Sequence, residues 1–353
     1  MSARHPAVAA RIVLRAPNWL GDAVLALPAM AAVRRAFAKS DLTVAAPASL
    51  AGLYREGTDV RPDQVLELPD AHRATVAALR SGRFDLGILF PNSFRSAWQL
   101  RRAGVAERWG YATAGRGWLL TRRSRPERSE APRHHIEYFR TLVRGLDVAC
   151  DEAPPRLVVS DASAQQASVL LATRGEAPRA PLVGFAPGAA YGQAKQWPAD
   201  RVAALIARLV NERSATCVLL GAGGDREASR EIESWLRARA PETRAHVVDL
   251  VGRTTLGALA AVAARCDVFV SNDSGAMHVA SAVGRPVVAV FGPTDERATQ
   301  PIGAHDVITE PVFCRPCHLR DCPIDHRCMK RITADRVFTT VVTRLTTTGG
   351  TAP

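Results

Sequence analysis

Four short loops in this chain carry most of its chemically useful side chains, and each follows a run of β-forming residues. The first, Pro17-Asn18-Trp19-Leu20-Gly21-Asp22, ends on a carboxylate just before or in the first turn of a helix. An aspartate there caps the backbone or complements the helix dipole, and it can equally act as a general base towards a hydroxyl. The second loop, Ala186-Pro187-Gly188-Ala189-Ala190-Tyr191-Gly192-Gln193-Ala194-Lys195-Gln196-Trp197-Pro198, combines small residues with Lys195 just ahead of a helix beginning near Pro198. A compact cation beside free helix N–H groups suits a diphosphate, while a solvated loop lysine is the plain alternative. No Gly-Lys-Ser/Thr follows a correctly spaced glycine, so this is not a Walker A loop.

The third loop, Leu220-Gly221-Ala222-Gly223-Gly224-Asp225, lacks the G-x-G-x-x-G spacing of a dinucleotide fingerprint, and Asp225 reads better as a helix cap than as a ligand contact. The fourth, Ser271-Asn272-Asp273-Ser274-Gly275-Ala276-Met277-His278, is the richest. Asp273 can accept sugar hydroxyls, while Ser274, Gly275 and Ala276 can point N–H groups at phosphate. Capping and a core role for His278 explain part of the same pattern. A fifth turn, Phe291-Gly292-Pro293-Thr294-Asp295, is expected beside it. Separately, Cys314, Cys317, Cys322 and Cys328 are interleaved with His318 and His326. Their spacing is near a zinc pattern but misses the paired C-x2-C frameworks, which favours a reduced or redox-sensitive loop over a metal site.

The elements that must hold these loops alternate between β-rich and helical runs. Strands are expected at Arg11 to Ala16, Leu42 to Ala46, Val65 to Leu68 and Asp85 to Phe90, with helices at Ala23 to Phe37 and Ala71 to Arg80. Pro28 makes the first of these helices start late or kink. After the proline-containing stretch Asp151 to Arg156, a polar helix from Ser160 to Arg174 leads to a linker, Gly175 to Pro181. The pattern then restarts with strands Leu182 to Ala186, Thr216 to Leu220, His246 to Leu250, Val268 to Ser271 and Val287 to Phe291. Helices Ala199 to Glu212, Asp225 to Ala240, Thr255 to Arg265 and Ser274 to Ala282 alternate with them. This predicts an α/β protein of two doubly wound, Rossmann-like domains, 1–178 and 179–353, with ligand bound in a cleft where the strands' carboxyl ends face each other.

The 353 residues (37.9 kDa) agree with about two domains at roughly 150 residues each. No apolar run approaches a membrane span, and Arg4, Arg11 and Arg15 break the N-terminus before a signal-peptide core could form, so a cytoplasmic protein is expected. Seven cysteines suit a reducing compartment. The net charge is +12, yet lysine occurs only at Lys39, Lys195 and Lys330. Residues 95 to 144 hold 12 arginines against four glutamates, with no lysine or aspartate, and so carry +8 of that charge. Without any recognition module, nucleic acid is not an expected partner.

Taken together, the loops resemble glycosyltransferase family 9, the ADP-heptose:lipopolysaccharide heptosyltransferases. The resemblance rests on Ala16 to Val24, Pro187-Gly188-Ala189 with Ala194 to Pro198, Asn272 to His278, Phe291 to Thr294 and His326-Arg327-Cys328-Met329. The Asn18-Trp19 pair sides with the enzymes that add the second heptose rather than the first.

The resemblance implies a GT-B fold and inverting transfer of L-glycero-D-manno-heptose from ADP-heptose to the first heptose of the inner core. Asp22 would be the general base, while Lys195 and the N–H groups of the Ser274 to Met277 turn would stabilise the departing ADP. Asp273 would hold donor hydroxyls, with His278 supporting the loop or approaching phosphate; the family places the nucleotide in the C-terminal domain. No cofactor is required on this reading, and Mg2+ stimulation is left open. The lipid A-linked acceptor implies peripheral contact with the inner membrane at its cytoplasmic face. The arginine-rich stretch is accordingly expected near the acceptor or on the membrane-facing surface. A family member acting on another core acceptor, a non-catalytic nucleotide-binding protein and a nicotinamide-dependent oxidoreductase are the rival readings.

Overall fold

The computed structural model describes residues 9–126, 133–172 and 180–348. Residues 1–8 of the N-terminal segment, 127–132 of the arginine-rich stretch, most of the Gly175 to Pro181 linker and the expected boundary between 178 and 179 lie outside them. Two compact units part between Val158 and Val159. The helix Asp161–Leu171, expected to close the first domain, belongs to the second unit instead. The cause is packing: Ala167 and Leu171 are buried in one core with Leu182, Ala261 and Val262.

Each unit is built on a six-stranded, all-parallel sheet. In the first, the spatial order is Gln64–Leu68, Asp41–Pro47, Arg11–Arg15, Leu86–Leu89, Glu107–Tyr111, Arg122–Ser124. In the second it is Val247–Asp249, Thr216–Leu219, Leu182–Ala186, Val268–Asn272, Val287–Phe291, His305–Thr309. Numbered within each sheet, both read 3-2-1-4-5-6, the doubly wound order whose switch point lies between strands 1 and 4. The expected pair of Rossmann-like halves, the elements of the GT-B class, is therefore present.

The second sheet shows why its strands were written as apolar runs. Val183 and Phe185 pack into one core with Val268, Val270, Val288 and Val290, whereas Leu182, Ala186, Phe269, Val287, Ala289 and Phe291 pack into another. Alternate residues thus feed opposite faces, both covered by helices, as a buried parallel sheet requires. Gly184 lets the faces close, because a Cβ there would stand 2.5 Å from the Phe269 ring. In the first unit the helix after strand 1 breaks at Ala26 into Leu20–Leu25 and Leu27–Ala36, with Pro28 in the first turn of the second piece. Ala26 keeps helical backbone and its carbonyl still accepts the Met30 N–H, so this is the kink open to a proline rather than a late start. Among the described residues no helix is long and apolar enough to cross a membrane.

Candidate active site

At the switch point of the second unit, the loop after strand Leu182–Ala186 meets the loop after strand Val268–Asn272. Asn272, buried at the strand end, donates from Nδ2 to the Pro187 carbonyl at 2.6 Å and accepts the Trp197 N–H at 3.1 Å. Trp197 in turn donates its indole N–H to the Ile332 carbonyl at 3.0 Å. Lys195 is held in the short 3-10 turn Gln193–Lys195, just ahead of helix Ala199–Arg213. Its Nζ reaches Asp273 Oδ2 at 2.5 Å and lies 4.6 Å from the centre of the Tyr191 ring. Thr294 donates to the same carboxylate oxygen at 2.8 Å, and Thr299 donates to Oδ1 at 3.3 Å. The two ion-pair side chains keep only 12% and 7% of their exposure. A carboxylate this buried needs hydrogen bonds beyond its ion pair, and the two threonines supply them.

Ser274 precedes helix Gly275–Ala282 without capping it; its hydroxyl lies 3.0 Å from that of Ser271. Ala276, Met277 and His278 are buried, so this turn can offer a ligand its first-turn N–H groups, which intrahelical bonding leaves over, rather than those side chains. Asp225 turns its carboxylate onto the Ala222 N–H at 2.8 Å and lies against Gly188, where a Cβ would stand 2.0 Å from its Cγ. Burial pushes its carboxyl up; it stands at the N-cap position of helix Arg226–Arg239 as expected, but its side chain closes the Gly223–Asp225 turn instead of capping that helix.

The cysteine-rich segment buttresses these loops. Ala194 donates to the Arg320 carbonyl at 2.9 Å, and His326 Nε2 lies 2.7 Å from the Ala194 carbonyl. The Cys317 and His318 N–H groups both reach the Pro293 carbonyl, and Tyr191 donates its hydroxyl to the His318 carbonyl. All four thiols line one pocket of about 110 Å3 with Ala194 and Pro293. Burial, reinforced by the neighbouring thiols, pushes the Cys328 thiol up to about 11. Among the described residues, no group of three His, Cys, Asp or Glu side chains is arranged to hold a metal ion.

The first unit's switch point is built differently. Asp22 lies in the first turn of helix Leu20–Leu25, whose N-cap is Trp19, so the carboxylate does not cap the helix. Its Oδ1 faces His135 Nδ1 at 3.5 Å, with side-chain exposures of 34% and 52%. The loop is pinned by Arg15, which donates to Asn18 Oδ1 at 2.9 Å and whose guanidinium is lowered to about 10 by burial. From the next strand end, Asn92 donates its amide to the Tyr138 hydroxyl. Burial raises the Tyr138 hydroxyl, Asn92 and Arg116 oppose that shift, and Asp22 adds to it. His135, Asn92 and Tyr138 escaped the sequence reading, as did the roles of Thr294 and Thr299. Only the position of Asn92, just past the fourth strand, could have marked it.

The sequence profile of glycosyltransferase family 9 (heptosyltransferase) matches residues 72–327. This chain belongs to that family. It is 31% identical over 307 residues to lipopolysaccharide heptosyltransferase 2 of Salmonella typhimurium, covering 83% of this chain and 85% of that protein. The Escherichia coli protein of the same name gives the same figures, and lipooligosaccharide heptosyltransferase 2 of Haemophilus influenzae is 30% identical over 309 residues (82% and 86% covered). Among solved structures, E. coli ADP-heptose LPS heptosyltransferase II superposes with a TM-score of 0.81 at 28% identity, covering 96% of this chain and 99% of that one. As a family 9 member the chain is a glycosyltransferase.

Proposed function

We propose that this enzyme transfers L-glycero-D-manno-heptose from ADP-heptose to the first heptose of the lipopolysaccharide inner core, with inversion. The observation that carries the reading is the buried Lys195–Asp273 pair at the second sheet's switch point, the position where doubly wound sheets receive nucleotides. The names and near-full coverage of the heptosyltransferase 2 relatives support the choice of donor and acceptor.

Asp22 takes the proton of the acceptor hydroxyl as that oxygen attacks the anomeric carbon, and the bond from that carbon to the ADP oxygen breaks in the same displacement. The charge arriving on the leaving diphosphate is met by Lys195 and by the first-turn N–H groups from Ser274 to Met277, already oriented before the reaction begins. Asp273 fixes Lys195 through Oδ2; Oδ1, met by Thr299 at 3.3 Å, is the oxygen left for a donor heptose hydroxyl. In this reading protein groups alone carry the diphosphate charge, with no resident metal. The acceptor's lipid anchor brings the enzyme to the inner membrane's cytoplasmic face.

The deciding experiment is ADP-heptose turnover with a core acceptor bearing a single heptose. Release of ADP with a product one heptose heavier is expected. Turnover only on a heptose-free or a longer acceptor would overturn the acceptor assignment, and hydrolysis without transfer would overturn the activity.

A further inference from the structure

On the first unit, among side chains given no role above, an aromatic platform and an arginine-lined pocket share one residue, Trp98. Helix Phe94–Arg102 (FRSAWQLRR) buries Ser96, Ala97, Gln99 and Leu100 and leaves Phe94, Arg95, Arg101 and Arg102 exposed, with Trp98 half-buried between them. Phe94 and Trp98, one turn apart, stack with ring centres 6.4 Å apart at 19°. Trp118, from the 3-10 turn Gly117–Leu119, closes the group at 6.1 Å from Phe94 and 6.3 Å from Trp98. Phe94 is 42% exposed and Trp118 59%.

The platform is fixed rather than loose. Arg116, fully buried beneath it, donates to the Pro91, Ser93 and Tyr111 carbonyls and to the Ser96 hydroxyl. That one guanidinium ties the turn carrying Trp118 to the start of the helix carrying Phe94 and Trp98. Trp98 also lines an open pocket of about 580 Å3 with Arg80, Arg101, Arg102 and Arg108, and the Arg102 guanidinium lies 5.9 Å from its ring centre. No carboxylate lines this pocket, and among the described residues none of Arg80, Arg95, Arg101 or Arg102 makes an ion pair.

We propose that Phe94, Trp98 and Trp118, flanked by Arg101 and Arg102, form a docking surface for an anionic lipid bilayer. The inference rests on the reading above, which gives the enzyme a membrane-anchored acceptor, and names the face that meets the membrane. Aromatic rings with one wet edge settle at the headgroup level, and guanidinium groups pair with lipid phosphates in two-point geometry. Self-association fits the patch less well: a two-fold contact would set its unpaired arginines against their own copies.

The test compares flotation on vesicles of phosphatidylglycerol with phosphatidylethanolamine against phosphatidylcholine vesicles, for the full chain and two double variants, Phe94→Ser/Trp118→Ser and Arg101→Gln/Arg102→Gln. The wild type should bind anionic vesicles and release them as salt rises. Losing both arginines should weaken that binding about 30-fold, at about fivefold per cation near a charged bilayer. Losing the aromatic pair should weaken it even at low salt. Both variants should keep wild-type turnover on a delipidated, one-heptose acceptor. Equal vesicle binding by wild type and variants, equal binding to both lipid mixtures, or a change of molar mass in solution caused by the aromatic variant would overturn the proposal. Failure of the wild type on the soluble acceptor would instead count against the catalytic reading, and the vesicle result would stand apart from it.

Discussion

The two units repeat one strand order, 3-2-1-4-5-6, yet furnish their switch points in opposite ways. The second holds its charges buried and partnered: Lys195 on Asp273, Asp273 on two threonines, and the loop clamped by Asn272. The first offers a half-exposed carboxylate, Asp22, with a more exposed histidine at 3.5 Å. In the mechanism proposed above, the contrast follows the two halves of a displacement. Stabilising charge on a leaving group works best with dipoles and cations that need not reorganise. Moving a proton needs a base that a substrate hydroxyl can reach.

The sharpest way to break this comparison is Asp22→Asn. Turnover should fall by roughly 10²–10⁴-fold while calorimetric ADP affinity stays unchanged, and near-normal turnover would remove Asp22 from the chemistry. Lys195→Ala should strike the other unit on two readouts at once. Transfer slows by about 10²-fold, as when a charge-stabilising donor is lost, and ADP binds more weakly. Unchanged ADP affinity would argue against a phosphate contact. The same substitution leaves Asp273 buried without its cation, so thermal unfolding should register a loss on the order of 3 kcal/mol. Next comes Gly188→Ala, whose added methyl meets the Asp225 carboxylate. It should cost about 1–3 kcal/mol in the wild-type background and clearly less beside Asp225→Ala; equal costs in both would show the loop free to move. The smallest effect belongs to His135→Ala. An exposed pair is worth up to about 1 kcal/mol, so turnover should change by no more than about fivefold. A loss as large as that of Asp22→Asn would make the histidine a full partner in the proton transfer.

The second unit was readable almost strand by strand because LVGFA and VVAVF are buried on both faces and so contain nothing but apolar and small residues. The arginine-rich stretch hid its structure for the opposite reason. Its strands Glu107–Tyr111 and Arg122–Ser124 are written ERWGY and RRS, and the charges of Arg108 and Arg122 are absorbed locally. Arg108 gives its donors to the Val105, Ala106 and Leu119 carbonyls, while Arg122 lies 4.8 Å above the buried Trp109 ring and pairs with Asp147. A local charge count cannot distinguish such an arginine from a solvated one, so a stretch expected as basic surface conceals Arg116 and Arg140 inside. At the sites, Asp22, Lys195 and Asp273 were legible from loop position. Their partners were not: His135 and Thr299 come from elements far along the chain or outside the marked loops, and only the folded chain brings them close.

The bonds from Ala194 to Arg320 and His326, and from Trp197 to Ile332, carry a consequence for synthesis. A ribosome that has delivered the whole sheet of the second unit, through Thr309, has still not delivered the backing that shapes the turn around Lys195. The nascent enzyme should therefore acquire its cation site only after Ile332 has emerged, and a chain halted before residue 320 should leave the lysine ungripped and one face of the sheet without Met329, Ile332, Val337 and Val341. In this architecture, competence to handle a charged donor waits on Arg320, His326 and Ile332.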